Sequence, residues 1–214
     1  MRYTLARAEL AVKHLRRADA VLRDVIRRAG PFTLRPKRDR FGLLVGSIIS
    51  QQISVLAARS IRRRVEALVS PERPTAWNLS AVSPEKLRAA GLSPQKLTYL
   101  TDLCAHVADG RLDLRTIGRK PDEEVIAELI QVKGIGRWTA QMFLIFALGR
   151  LDVLPHDDLG VRAAIRRLYG LPDLPDRATS ERIAEPWRPY ASVASWYCWR
   201  SLELDRPVVK ANAG

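Results

Sequence analysis

Proline set directly behind serine, at the head of apolar residues spaced three and four apart, is what most limits how this chain can fold. Ser83-Pro84-Glu85 and Ser93-Pro94-Gln95 each pair a serine cap with a residue whose φ is already helical and whose missing N–H the first turn does not use. Pro121-Asp122-Glu123-Glu124 repeats the device before 125–130. Between these starts the apolar residues keep a helical period. Within Thr4–Arg28 the stripe is Leu15, Ala18, Leu22, Val25 and Ile26, in one element that Gly30-Pro31 ends. A helix opening near Asp39 carries Phe41, Leu44, Val45, Ile48 and Ile49. After the SQQIS break, Ala57, Ile61, Val65 and Leu68 form another, closed by Ser70-Pro71. Strand-like alternation never persists, and no repeat of fixed period occurs. The chain is therefore all-α, with roughly ten short helices joined by short turns. The Pro-rich stretch Leu171–Asp176 reads as a loop, and no Gly/Ser linker intervenes. Residues 37–150 read as a central helical subdomain, and the arms 1–36 and 151–214 as a second.

Charge narrows the partner. Thirty-six Lys and Arg against 23 Asp and Glu leave a formal net charge of +13, which favours a polyanion, and nucleic acid over a membrane surface. A hydrophobic content of 47% excludes disorder. Cys104 and Cys198 are too few for a disulfide framework, a four-thiolate zinc site or an iron–sulfur cluster, and read as buried small hydrophobes. His14, His106 and His156 have no close metal-ligand spacing. MRYTLARAELAVKHLRR lacks the apolar core of a signal peptide. The longest uncharged stretch, Phe41–Ala58, is polar in its middle and shorter than the ~20 apolar residues a membrane span needs. These features lead to the expectation of a soluble cytoplasmic monomer, nucleoid-associated if the source is bacterial.

Leu129-Ile130-Gln131-Val132-Lys133-Gly134-Ile135-Gly136-Arg137-Trp138-Thr139-Ala140 is the most informative segment. One helix ends at Val132, two glycines flank an apolar residue, and a second helix starts at once. Glycine permits the positive φ of a tight turn and the close approach of backbone to another surface. The N–H groups heading the second helix then form an anion site suited to phosphate, with Ile135 plugging the hairpin into the core. A plain helix-turn-helix corner would need the same glycines. Lys133 and Arg137 flank the turn, and Arg59, Arg62, Arg63 and Arg64 form a further basic face. Asp158 precedes LGVRAAIRRLYG, where aspartate is a favoured N-cap.

VKGIGRWTAQMF, LPHDDLGVR after it, IISQQIS upstream and SWYCWR near the C-terminus stand in one order across about Phe41 to Arg200. In these blocks the chain resembles the helix-hairpin-helix DNA glycosylases, in the DNA-3-methyladenine glycosylase II branch. The resemblance implies two helical subdomains with an active-site cleft between them. It implies excision of alkylated bases from double-stranded DNA by hydrolysis of the N-glycosidic bond, with no cofactor for catalysis. Asp158 matches the family's essential aspartate, twenty residues beyond Trp138, though adjacent Asp157 competes on pattern alone. Such a carboxylate stabilises the oxocarbenium-like charge on the sugar and orients or deprotonates water. Trp138, Trp196, Met142 and Tyr197 would form the base pocket, an indole face suiting a cationic alkylpurine. Met142 stands where some relatives carry an aromatic ring. Gln52, with Gln51, matches the residue that fills the gap left by a flipped base. Lys133, Gly134, Ile135, Gly136, Arg137 and Thr139 would hold DNA at the hairpin. The carbonyls of Ile130, Val132 and Gly134 match positions that bind a structural Na+ or K+.

Relatives that also cut the strand carry a Schiff-base lysine just after G-x-G-R. This chain has Trp138 there, which implies a monofunctional enzyme using water. The relatives' four-cysteine cluster is missing, and the chain has no room for the α/β domain that opens larger members of the branch. Two other readings stay open at this point: a non-catalytic hairpin DNA-binding protein, and a glycosylase/lyase using Lys133.

Overall fold

The computed structural model describes residues 3–204, and within them all regular structure is helical. Twelve α-helices follow in order: α1 Leu5–Ala18, α2 Ala20–Ala29, α3 Arg40–Ser50, α4 Val55–Ala67, α5 Ala76–Ser80, α6 Pro84–Ala89, α7 Pro94–Ala108, α8 Asp122–Leu129, α9 Arg137–Phe146, α10 Leu159–Leu168, α11 Arg177–Ala184 and α12 Ala191–Leu204. Single 3-10 turns occur at Ile117–Arg119 and Glu185–Trp187. None of these helices is long and apolar enough to cross a membrane.

The serine caps form as their chemistry dictates. Ser83 accepts the Lys86 N–H and Ser93 the Lys96 N–H, each with proline in the first helical position. The third start differs. Pro121 itself occupies the cap of α8 and offers no side-chain acceptor, so Asp122, Glu123 and Glu124 in the first turn meet the positive end of the helix dipole instead.

The chain divides into two compact units, Lys37–Leu148 and the arms Met1–Pro36 with Gly149–Gly214. Residues 1–2 and 205–214 of the arms lie outside the described residues. Gly149 and Arg150 group with the arms rather than with the centre. The Gly149 carbonyl accepts the Tyr3 N–H at 2.7 Å, and Pro36 and Tyr3 pack where a side chain at Gly149 would begin.

In the unit formed by the arms, the single helix expected over Thr4–Arg28 is broken at Asp19. Its backbone is extended there, its N–H closes α1 on the Leu15 carbonyl, and its carboxylate caps α2 by accepting the Leu22 N–H at 2.9 Å. Leu15, Leu22, Val25 and Ile26 still face one core, but the break turns Ala18 out to solvent. Asp19 is 8% exposed, and its second oxygen accepts the Trp187 indole N–H at 2.9 Å and the Tyr169 hydroxyl. Burial, reinforced by that carboxylate, pushes the Tyr169 hydroxyl pKa well up. Leu15, Leu22, Val161, Ile165, Trp187 and Tyr197 are the large side chains of this core.

In the central unit, α3 buries Leu44, Val45, Ile48 and Ile49, whereas α4 fully buries only Val65 of its expected stripe. Leu68 is 36% exposed and Ala57 lies at the surface. α7 supplies Leu100, Leu103 and Cys104. Burial raises the Cys104 thiol to about 11 and raises that of Cys198 as well, so both behave as small hydrophobes.

Asp19→Ala removes an acceptor shared by three donors and leaves two of them buried. Urea denaturation is expected to show a loss of about 3 kcal/mol, far above that of an exposed aspartate.

Candidate active site

The hairpin is built on a turn that only glycine can make. α8 ends at Leu129, three residues before the expected Val132, and a tight turn carries the chain to α9. Gly134 has φ +81°, and a Cβ there would lie 2.2 Å from Cδ2 of the Tyr99 ring. Gly136 is different. Its φ is −92° and nothing lies within 4 Å of the place a Cβ would take. Neither backbone nor packing asks for glycine at that position. What it does is cap α9 without a side chain of its own, so the cap position itself is open. A helix start left open in this way favours an anion.

α7 supports the turn from below. Its Asp102 carboxylate accepts the Lys133 backbone N–H at 2.8 Å, and Tyr99, one turn earlier, packs under Gly134. His106 follows on the same face. Its Nδ1 contacts the Asp102 carbonyl at 2.9 Å, and its Nε2 meets Arg111 at 3.0 Å. Lys96, buried on this helix, donates to the Ile49 carbonyl at 2.8 Å and so caps the end of α3. Burial lowers the pKa of its ammonium. The sequence reading missed Lys96, Tyr99 and Asp102, although their three-residue spacing marks one polar face of a helix.

The hairpin residues separate by exposure. Ile135 is 4% exposed and plugs the core as its chemistry predicts. Thr139, expected among the DNA contacts, is also 4% exposed, so its hydroxyl is turned inward and only its backbone remains for that role. Arg137 pairs with Glu123 at 2.6 Å on the surface, and Lys133 is exposed. An exposed pair of this kind is weak and exchanges readily for a phosphate.

Gln51, expected to touch DNA, is an anchor. It is half-buried, and its side-chain amide donates to the Gly134 carbonyl at 2.7 Å, tying the loop after α3 to the hairpin. Gln52 is exposed with φ +55°, the only described non-glycine residue at positive φ. Holding glutamine there costs about 1 kcal/mol. The Gln51 anchor before it and the Ser54 cap of α4 after it fix that geometry. Val55 and Leu56, 78% and 77% exposed, adjoin it. The loop thus presents one strained polar residue beside an apolar tip.

Asp158 caps α10 and is half-buried. Its Oδ1 accepts the Val161 N–H at 2.8 Å and the Trp199 indole N–H at 2.8 Å. Asp157 is exposed, with an oxygen 3.4 Å from Nε2 of buried His156. Of the two adjacent aspartates, Asp158 is therefore the one held in a defined geometry. Trp196 is half-buried, with Phe32 and Tyr197 edge-on at 5.0 and 4.8 Å and the Arg200 guanidinium 5.8 Å from its ring centre. Tyr197 leaves the expected base pocket altogether. It is fully buried, its hydroxyl donates to the Gly30 carbonyl, and burial raises its pKa to about 12. Trp138 and Met142 lie one turn apart on α9, the indole 43% exposed and the thioether 8%.

Residues 45–189 match the HhH-GPD superfamily base excision DNA repair protein family. The chain belongs to that family. DNA-3-methyladenine glycosylase 1 of Schizosaccharomyces pombe is 32% identical over 206 residues, which cover 94% of this chain and 89% of that protein. The crystal structure of a DNA-3-methyladenine glycosidase from Bacillus halodurans superposes with a TM-score of 0.80 at 40% identity, covering 89% of this chain and 88% of the other. The 3-methyladenine DNA glycosylase Mag1 of Schizosaccharomyces pombe, in complex with abasic DNA, gives a TM-score of 0.81 at 32% identity, covering 91% and 97%. The all-α architecture is thus the HhH-GPD glycosylase fold.

The two hairpin glycines are expected to fail differently. Gly134→Ala should lose at least about 2 kcal/mol of stability in chemical denaturation, because a Cβ at that φ meets the Tyr99 ring. Gly136→Ala should melt within about 2 °C of wild type. Its affinity for duplex DNA should nevertheless fall roughly ten-fold in a fluorescence anisotropy titration, since a methyl group narrows the anion site.

Proposed function

We infer that this HhH-GPD protein is a DNA glycosylase that releases alkylated bases, 3-methyladenine among them, by hydrolysing the N-glycosidic bond. The observation that carries this reading is the Asp158 carboxylate, held by two N–H donors at the start of α10 in a chain so similar along its length to DNA-3-methyladenine glycosylase 1. Its partner is DNA.

Breaking the bond leaves positive charge on the sugar, and a fixed carboxylate beside it lowers the barrier electrostatically. Asp158 also orients or deprotonates the attacking water. An alkylated purine such as 3-methyladenine is cationic, which makes it a good leaving group and a partner for an indole face. Trp138, exposed on α9, supplies that face, with the buried Met142 one turn along the same helix. Gln52 and the apolar tip beside it suit the filling of the gap in the base stack. The N–H groups of α9 take a phosphate, with Lys133 and Arg137 adding charge.

A monovalent cation held by the carbonyls of Ile130, Val132 and Gly134 belongs to this reading. The Val132 carbonyl accepts the Ile135 N–H and that of Gly134 accepts Gln51, and a carbonyl oxygen has two lone pairs. Such an ion would screen a phosphate drawn to the hairpin.

The position that follows G-x-G-R is Trp138, which supports water rather than an amine as nucleophile. Methylated duplex treated with the protein should carry abasic sites that break only after alkali. A borohydride-trapped adduct that Lys133→Ala removes would assign lyase chemistry to Lys133 instead. Asp158→Asn keeps an acceptor for the Val161 and Trp199 N–H groups and should fold normally. It should release methylated bases at least about 100-fold more slowly. Release at the wild-type rate would leave the chain a DNA-binding protein without this chemistry.

With a net charge of +13, log affinity for duplex should fall linearly with log salt, by roughly 0.9 for each phosphate neutralised. A flat response would mean that the charge is not directed at the backbone.

A further inference from the structure

We propose that Trp199 is a positioning residue for Asp158, and that position 160 is glycine so that the indole can reach the carboxylate. This deepens the reading of Asp158 as the reaction's carboxylate and rests on it. A capping aspartate held only by the helix it caps keeps one bond and can still rock about its side-chain torsions. Here a second donor comes from a rigid ring on α12, 41 residues along the chain, and lands 2.8 Å from the same oxygen that Val161 caps. Two donors from two helices hold that oxygen from two directions.

The chemistry of the donor matters as much as its place. An indole N–H donates and never accepts, and it carries no charge. A lysine or arginine at this point would orient Asp158 equally well, but its positive charge would offset the field that the carboxylate must exert on a cationic sugar. Trp199 holds the group in place and leaves its charge intact.

Gly160 shows that the approach is built into the sequence. A Cβ at this position would lie 3.0 Å from Asp158 Oδ1, 3.0 Å from Trp199 Cδ1 and 3.2 Å from its Nε1. The space of a methyl group is taken up by the indole–carboxylate contact.

The test uses Trp199→Phe, which keeps an aromatic ring but removes the donor together with one ring of the indole, and Gly160→Ala, which crowds the contact from the other side. Three quantities are measured on the full-length protein. These are the single-turnover release of bases from methylated duplex at saturating protein, the affinity for duplex with an abasic-site analogue, and the thermal midpoint. Trp199→Phe is expected to release bases roughly ten-fold more slowly, or worse, with affinity within about two-fold of wild type and a midpoint lowered by only a few degrees, so that it stays folded at the assay temperature. Gly160→Ala should shift the rate in the same direction. Release by Trp199→Phe at the wild-type rate, or a rate loss matched by an equal loss of affinity, overturns the proposal. Asp158→Asn run in parallel separates the two failures. If it is inactive while Trp199→Phe is normal, only the positioning role falls; if it is active, the carboxylate reading falls and takes this one with it.

Discussion

The Tyr99 ring presses on Gly134 at the point where every other residue carries a Cβ, and the central unit's hairpin is arranged around that contact. With Gly134 at positive φ, the chain reverses tightly enough for its carbonyl to face Gln51 and for the preceding N–H to face Asp102. Three side chains from two other parts of the unit thereby bind one turn of backbone. They are the frame, and the start of α9 is what the frame presents. The same amide bond passes the order of the hairpin to the loop after α3, where Gln52 is kept in a conformation it would not choose alone.

The carboxylate in the other unit is organised on a different principle. Helix capping and the chemistry proposed for Asp158 both ask for a carboxylate whose oxygen points at N–H donors, so the two roles do not conflict. Asp19 makes the contrast clear. It too caps a helix and accepts an indole N–H, yet it is buried among Trp187 and Tyr169 and works only as a structural tie. Capping geometry alone therefore does not mark an active site. Exposure separates the half-buried Asp158 from Asp19.

Residues whose role follows from local chain chemistry were legible in the sequence. Ser83, Ser93 and Asp158 cap the helices their spacing announces, and Ile135 plugs the core between two glycines. Roles that depend on a partner distant in sequence were not. Gln51 and Gln52 look alike as letters, and the 83-residue separation of Gln51 from Gly134 decides which of them is an anchor. Tyr197 shares its aromatic run with Trp196 and Trp199, and only the packing of α12 shows that it faces the core. The break at Asp19 escaped notice because the apolar stripe continues through it, in register, on both sides. The inward turn of the Thr139 side chain was hidden for a related reason, since a helix start at the surface can still turn one side chain inward.

Val55 and Leu56 stand in water at the head of α4, where two neighbouring oily side chains invite association between molecules. The same helix carries Arg59, Arg62, Arg63 and Arg64. Like-charged helices approaching tip to tip repel before those apolar groups can meet, whereas a polyanion is drawn in by the same field. The helix that bears these apolar side chains thus also bears the charge that opposes their burial against a second copy.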